Sequence, residues 1–521
     1  MKEDQGIPHR ARHAATGTIL ALGLAVLLTL TSCQISLRPV VAPAPAAEPK
    51  PAAGISTNTS AGGPAQAQAP AQPQVYSAVL QLTPSHAPVG ASVQVTGRGY
   101  HPGANVDLVW YTVAGHYELQ NQTEFVGQRY QERAQVLTTV RADESGSIKT
   151  TIQVPVGFGG PHDLRGRVDG KEVSQAGLMV EPVLSLTPRE GPVGTPIELK
   201  IVGVDLRTNL NTWHVLYDNK YVGFVSAVTT NGIATAHFRA AGPVGDHVIA
   251  AWNNSYNPTP YLAWDTSPFK DIPGPGTEFT FRVTSDPGPA APQVEPYSPT
   301  DMPWPSNTRG PAKLTLSVNQ GTVGQPIELR GSGLPANTTL ALRWSTQVGD
   351  RVSGRGFTEE MRPLGTVTTG QDGTFQKDLT IPDDLGGQHR IEVVNGDQIL
   401  GTTGLVIEPS FVSMSPTRVH AGEQVTIHLK GVGWTTYDNT YTVTYDDAYI
   451  GYVCGFSTNG DVQFRITATG GPGTHIIDFY PTIYKGQDLT PRVYSMPQLS
   501  YRDDHPQRLT PAIHLAIEVV E

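Results

Sequence analysis

The stretch LTPSHAPVGASVQVTGRGY, residues 82–100, decides how this chain is read. A turn glycine, Gly90, is followed by apolar residues at every second position, Val93 and Val95, and then by further glycines. Side chains in a strand alternate between two faces, so a period of two between tight turns predicts a half-buried β-strand. The same sentence returns as LTPREGPVGTPIELKIVGVDL (186–206), LSVNQGTVGQPIELRGSGL (316–334) and MSPTRVHAGEQVTIHLKGVGW (414–434), with turn glycines at Gly194, Gly324 and Gly422.

A higher order lies above this repeat. The first and third copies share a tryptophan strand (Trp110, Trp344), a turn and strand (DESGSIKTTIQVP, GQDGTFQKDLTIP) and an exit ending in EP. The second and fourth share YDNKYVGF and YDDAYIGY, TTNG and STNG, GDHVIAAW and GTHIIDFY. Gly90 and Gly324 are 234 residues apart, and Gly194 and Gly422 are 228 apart. The chain reads as an internal duplication, A1 (76–181), B1 (182–284), A2 (312–408), B2 (409–521), with a proline-dense linker at 285–311 expected to be stiff and coreless. Within each pair almost no linker intervenes, so A and B are expected to be closely coupled.

Composition agrees with an all-β chain. With 521 residues, 55 glycines, 44 prolines and only 16% charged residues, several small sandwich cores are expected rather than one large core or a helical bundle. Net charge is −10 and no basic run could follow a phosphate backbone, so nucleic acid is an unsuitable partner. Two cysteines, Cys33 and Cys454, cannot staple the domains; stability must come from packing.

The amino terminus carries a different message. Lys2, Arg10 and Arg12 precede the uncharged run AATGTILALGLAVLLTL (14–30), the physical form of an export signal. Leu30, Thr31, Ser32 and Cys33 resemble the lipobox of bacterial lipoproteins, with Glu3 and Asp4 as departures from its usual basic start. That resemblance implies cleavage after residue 32, acylation of Cys33 and a cell-envelope location outside the cytoplasm; the other readings are an uncleaved signal anchor or an ordinary secretory signal with an incidental cysteine. Several acyl chains, at about 0.8 kcal/mol per buried methylene, hold a protein to a bilayer stably. Residues 33–75, rich in proline and alanine, lack apolar periodicity and are expected to form a disordered tether.

Units of about a hundred residues with some seven short strands, and a tryptophan on an early central strand in the A units, describe an immunoglobulin-like sandwich. The openings of the four units resemble bacterial Ig-like modules of the IPT/TIG type, which implies extracellular spacer or binding use and brings no catalytic residues with it.

Chemistry-bearing residues are sparse. Each unit has a histidine after a glycine turn, His162, His247, His389 and His475. None has a second ligand at metal spacing, so a hydrogen bond from the ring to the preceding loop is the expected role. Asp143 and Asp372 stand in acidic turns without a calcium-binding loop, and their carboxylates are expected to cap their own backbone. No GxSxG, HExxH or P-loop occurs; no enzyme activity, metal or cofactor is expected. Cys454 occupies the place of Ser226 in the B1 unit.

The informative excess is in the B units, whose long insertions carry Tyr256, Tyr261, Trp264 and Phe269 in B1 and Tyr484, Tyr494 and Tyr501 in B2. Long loops are commonly functional, and aromatic side chains give large contact area at low entropy cost. The insertions either bind a ligand or fold back over a sandwich. The sequence therefore points to a lipid-anchored surface protein that binds an envelope protein or glycan, with a plain stalk or an accessory subunit of an envelope complex as the alternatives. It sets no oligomeric state.

Overall fold

A computed structural model describes residues 75–207, 211–253, 266, 276–296, 309–350, 356–455, 459–484, 496–506 and 510–521. The segment read as an export signal, Cys33 and all of the expected tether but Val75 lie outside these. In A1 the strands are β1 (Val79–Thr83), β2 (His86–Pro88), β3 (Ser92–Arg98), β4 (Asn105–Gln120), β5 (Glu124–Arg141), β6 (Ser147–Gln153), β7 (Gly160–Val168) and β8 (Lys171–Glu181). They form a three-stranded sheet, β1-β3-β6, and a five-stranded sheet, β2-β8-β7-β4-β5. The opening segment splits: β1 pairs antiparallel with β3, and β2 then crosses to pair parallel with β8.

This 3 + 5 arrangement recurs in B1, A2 and B2, each with the same short parallel pairing of its second strand. The chain is thus an all-β array of Ig-like sandwiches. The period-two reading explains the cores. Val93 and Val95 in A1, Ile197, Leu199 and Ile201 in B1, Ile327 and Leu329 in A2, and Val425, Ile427 and Leu429 in B2 are buried. Among the described residues each unit has eight strands where the sequence reading expects some seven, because the opening segment is shared between the two sheets.

The matched histidines do what their position predicts. In every unit Nε2 donates to the carbonyl four residues earlier: Phe158 at 2.9 Å, Pro243 at 2.7 Å, Leu385 at 2.7 Å and Gly471 at 2.8 Å. In the A units the ring stacks on the core tryptophan, with centroids 4.7 Å apart for Trp110 and His162 and 4.5 Å for Trp344 and His389. In the B units a tyrosine takes that place, Tyr217 or Tyr445, and Nδ1 meets Asp218 or Asp446. The acidic turns are Asx-type caps: Asp143 Oδ1 accepts from Ser145 N at 2.9 Å, and Asp372 Oδ1 from Thr374 N at 3.1 Å.

Coupling within each A–B pair is direct and repeated. Gly159 N donates to Val204 O at 3.0 Å, and Gly386 N to Val432 O at 3.0 Å. The linker departs from expectation. Gln293–Val294 pairs antiparallel with Ile513 and His514 of B2, Glu295 N donates to Ala512 O at 3.0 Å, and Asp286 Oδ2 accepts from Thr474 N at 2.7 Å. The first half of this proline-rich stretch is therefore an added edge of the B2 sheet rather than a free spacer; the last strand of B2 has open backbone there, and the linker supplies the missing partners.

Candidate functional site

The B2 insertion goes somewhere specific. Strand Lys220–Ser226 is the outer edge of the five-stranded sheet of B1, and Ile233–Arg239 is the outer edge of its three-stranded sheet. Residues 497–499 of B2 bond to both. Phe224 N donates to Pro497 O at 2.8 Å, Leu499 N to Phe224 O at 2.8 Å, and His237 N to Leu499 O at 2.9 Å. Leu499 is fully buried among the core residues of B1, a contribution of about 1.5–3 kcal/mol for a side chain of this size. The approach needs Gly223, where an added Cβ would lie 2.4 Å from Pro497 O.

A few residues on, the same insertion supplies Asp504, which is fully buried. Its carboxylate accepts from Ser226 Oγ at 2.6 Å, Val228 N at 2.9 Å, and Thr229 N and Oγ1, each at 2.7 Å, all in B1. Tyr117 OH of A1 completes the set at 3.0 Å. Three units meet on one side chain.

Tyr117 reaches this point because β4 and β5 form a hairpin of 16 and 18 residues, against 12 and 13 in A2. The far end of the hairpin packs Leu119 and Phe125 against Phe224 of B1 and Tyr437 and Ile483 of B2. Phe125 N donates to Thr436 Oγ1 at 2.6 Å, Thr436 N to Thr123 O at 3.0 Å, and Tyr437 OH to Gln122 O.

Beside this junction the outer face of the five-stranded sheet of B2 lies on B1 through a chain of charges. Arg239 of B1 donates to Asp478 Oδ1 at 2.7 Å and to Leu515 O at 2.8 Å. His514 donates to Asp478 Oδ1 at 2.6 Å and to Glu295 Oε1 at 2.9 Å. Glu295 also accepts from Tyr501 OH at 2.6 Å and Arg502 Nη2 at 2.5 Å. Burial opposes the charge on His514, but Asp478 and then Glu295 outweigh it and bring the imidazole up to about 9. Burial likewise opposes ionisation of Glu295, yet its bonds from His514, Arg502 and Tyr501 bring it down to about 2. Arg239, Glu295, Tyr501, Arg502 and His514 wall a cavity of about 220 Å³ under the linker. Chemically this is a set of mutually satisfied pairs; His514, held on both nitrogens, is no free base beside a nucleophile. Among the described residues no three His, Cys, Asp or Glu side chains are placed to share a metal ion.

Among the described residues several buried polar atoms of this interface lack a hydrogen-bond partner, Tyr480 OH and Gln498 Oε1 among them, and Asp447 is the one carboxylate of the set. Asp447 is fully buried, and neither carboxylate oxygen has a hydrogen-bond partner among the described residues. Burial first, then the charges of Asp478 and Asp446, push its pKa well above the ordinary value. A carboxyl whose pKa is raised by folding costs nothing below the unfolded value of 3.8 and progressively more as pH rises above it. The matching turn of B1 has Asn219, with the same left-handed backbone (φ 63° against 59°). Asp447→Asn is therefore expected to stabilise the fold by about 1 kcal/mol at pH 7, with the gain vanishing near pH 4; thermal midpoints at the two pH values measure it.

Of the aromatic residues singled out from sequence, Tyr501 is buried between B1 and B2, so it is a packing residue rather than a ligand contact, because the insertion that carries it folds back. Tyr484 is half-buried, donates its N–H to Thr436 O at 2.8 Å and faces Tyr452 with centroids 5.7 Å apart. Tyr256, Tyr261, Trp264, Phe269 and Tyr494 lie outside the described residues, as does the proposed lipid site Cys33. Cys454 is half-buried on its strand, paired to Thr440 as Ser226 is to Thr212, and burial pushes its thiol up to about 11. Sequence reasoning missed Asp504, Arg239, Asp478, His514 and Glu295. For Asp504 the available signal was the run RDDH (502–505), four polar residues directly behind PQLSY, whose Leu499 and Tyr501 a solvent loop does not need.

No known protein-family profile matches this chain, and no curated protein does. Solved structures similar to it include an ICAM-5 D1–D4 ectodomain fragment, at 13% identity over 85% of this chain and 100% of that one, TM-score 0.18. Dimeric latent PorU from Porphyromonas gingivalis matches at 12% identity over 64% of this chain and 34% of its own, TM-score 0.15. The D0–D1 domain of intimin matches at 14% over 34% and 92%, TM-score 0.14. The assignment of Ig-like sandwiches rests on the chain's own sheets.

Proposed function

We propose that this chain is an exported, lipid-anchored protein of the cell envelope whose Ig-like units form a non-catalytic platform for binding an envelope protein or glycan. The observation that carries the reading is that the B2 insertion completes the core of B1 while the A1 hairpin locks onto both. A string of spacers has no use for a leucine from one unit in the core of another. A binding surface assembled from several units does, because fixed geometry lowers the entropy cost of recognition. This favours presentation over a stalk. With Tyr501 committed to packing, the B1 insertion, with Tyr256, Tyr261, Trp264 and Phe269, is the stronger contact segment.

Two measurements test it. Cys33→Ser is expected to move the protein from the membrane to the soluble fraction with its fold intact; continued membrane retention favours an uncleaved signal anchor. Trp264→Ala is expected to weaken retention of the full chain by isolated cell-envelope material about tenfold or more, and unchanged retention overturns the contact role of the loop.

A further inference from the structure

The two A units share one plan around their tryptophan, and they part over a single acceptor. In A2 the side chain of Asp384 is buried beside the indole. Its carboxylate accepts from Trp344 Nε1 at 2.8 Å, Thr346 Oγ1 at 2.6 Å and Leu385 N at 2.8 Å. A1 keeps every donor of this set, with Trp110, Thr112 and the backbone N–H of Phe158 at the matching places. The frame is the same too: the His162 ring is held between the carbonyls of Tyr111 and Phe158 as His389 is between those of Ser345 and Leu385. What A1 lacks is the acceptor, because Gly157 stands in the place of Asp384.

In its stead is a cavity of about 310 Å³, lined by Trp110, Thr112, Gly157 and Phe158 and by Arg133. That is the liquid volume of about ten water molecules. Trp110 is 3% exposed, yet among the described residues Trp110 Nε1, Thr112 Oγ1 and Phe158 N have no hydrogen-bond partner. Polar groups withdrawn from bulk water are nearly always paired, so three open donors around one void mark a place for an acceptor.

The charge beside the void changes in the same sense. Strand register sets Arg133 across from Thr112 in A1, and Glu360 across from Thr346 in A2. Arg133 is exposed and forms no ion pair among the described residues, whereas Glu360 pairs with Arg362. The unit without its own carboxylate thus offers a cation where the other has an anion. Space is also available: at Gly157, whose φ lies outside the left-handed region, an added Cβ meets only Asn231 O, at 3.7 Å.

We propose that this cavity of A1 binds a carboxylate from outside the chain, an aspartate or glutamate side chain of a partner protein, placed as Asp384 places its own in A2. Trp110 Nε1, Thr112 Oγ1 and Phe158 N donate to its oxygens, and Arg133 balances its charge. An acidic side chain is favoured over a sugar acid because the occupant this cradle already takes in A2 is an aspartate on a polypeptide. The inference rests on the reading of the chain as a binding platform and names the group that its partner presents.

Saturation-transfer NMR of the purified full chain with N-acetyl-aspartate methylamide tests it, beside the matching asparagine derivative and glucuronate. The expected result is saturable binding of the aspartate derivative, with the other two weaker by about tenfold or more. Thr112→Val, which keeps the shape and removes the hydroxyl, and Arg133→Glu each weaken binding about tenfold or more. Gly157→Asp abolishes it and raises the thermal midpoint above that of Gly157→Ala, because the new carboxylate takes the three donors itself. No binding of the aspartate derivative, or binding that Gly157→Asp leaves unchanged, overturns the proposal. A Gly157→Asp variant no more stable than Gly157→Ala overturns it as well, since the donors then do not converge. Preference for glucuronate overturns the assignment to a protein partner. If the aspartate derivative does not bind while isolated envelope material still retains the full chain, the acidic contact falls and the platform reading stands.

Discussion

Asp504→Ala is expected to destabilise the B1 unit by about 3 kcal/mol, because it strips the partner from the buried Ser226 hydroxyl and Val228 N–H and, at the surface, from the N–H and hydroxyl of Thr229. The measurement is chemical unfolding followed by the fluorescence of the seven tryptophans, of which Trp213 reports from the B1 core. The transition assigned to B1 should move to lower denaturant and separate from those of the A units, since A1 loses its bond to the same carboxylate. Asp503→Ala, one residue away, is the control and should shift the midpoint by no more than about 1 kcal/mol. Equal effects from the two substitutions would remove Asp504 from its place at the junction.

Arg239→Met is expected to cost about 3–5 kcal/mol, because it leaves the fully buried Asp478 with His514 alone. Arg239→Met combined with Asp478→Leu should recover most of the loss, since an apolar pair of similar volume avoids burying an unbalanced charge. The same junction has a pH profile whose sign follows from two groups. His514, raised from 6.5 to about 9, contributes in full below 6.5, and its contribution is lost as pH rises through 9. Glu295, lowered from 4.5 to about 2, contributes in full above 4.5 and is lost as pH falls through 2. The B1–B2 contact should therefore be firmest between about pH 4.5 and 6.5 and loosen at either extreme, which scanning calorimetry across that range would show.

Local physics made much of the fold legible. The glycine turns and the period-two apolar residues around Val93, Ile197, Ile327 and Ile427 mark strands that the structure contains, because a half-buried strand must alternate whatever its partner. The histidine corners were legible for the same reason: the glycine turn before each ring fixes what it can reach. The junction was not legible. Ile476, Asp478 and Tyr480 sit on the alternate phase of their strand, which in an isolated sandwich faces water, and only a second sandwich explains their burial. Nor does β4 announce its length, because its outer half, AGHYELQ, alternates too weakly to separate a long hairpin from a loop. Its turn falls at Asn121 and Gln122, both with positive φ and neither a glycine. The linker misled through its prolines, which are tolerated in an edge strand and so do not exclude one.

Leu499 has a consequence for how the chain matures. Its place in the B1 core lies more than two hundred residues downstream of the last B1 strand, Glu278–Val283, and the whole of A2 is made in between. Domains commonly fold one after another from the amino terminus as they emerge. Here B1 leaves the ribosome with an open side and stays unfinished until B2 arrives. Chaperone binding, or proteolytic loss of chains that stop short of residue 499, would act during that interval as a check that only full-length molecules pass.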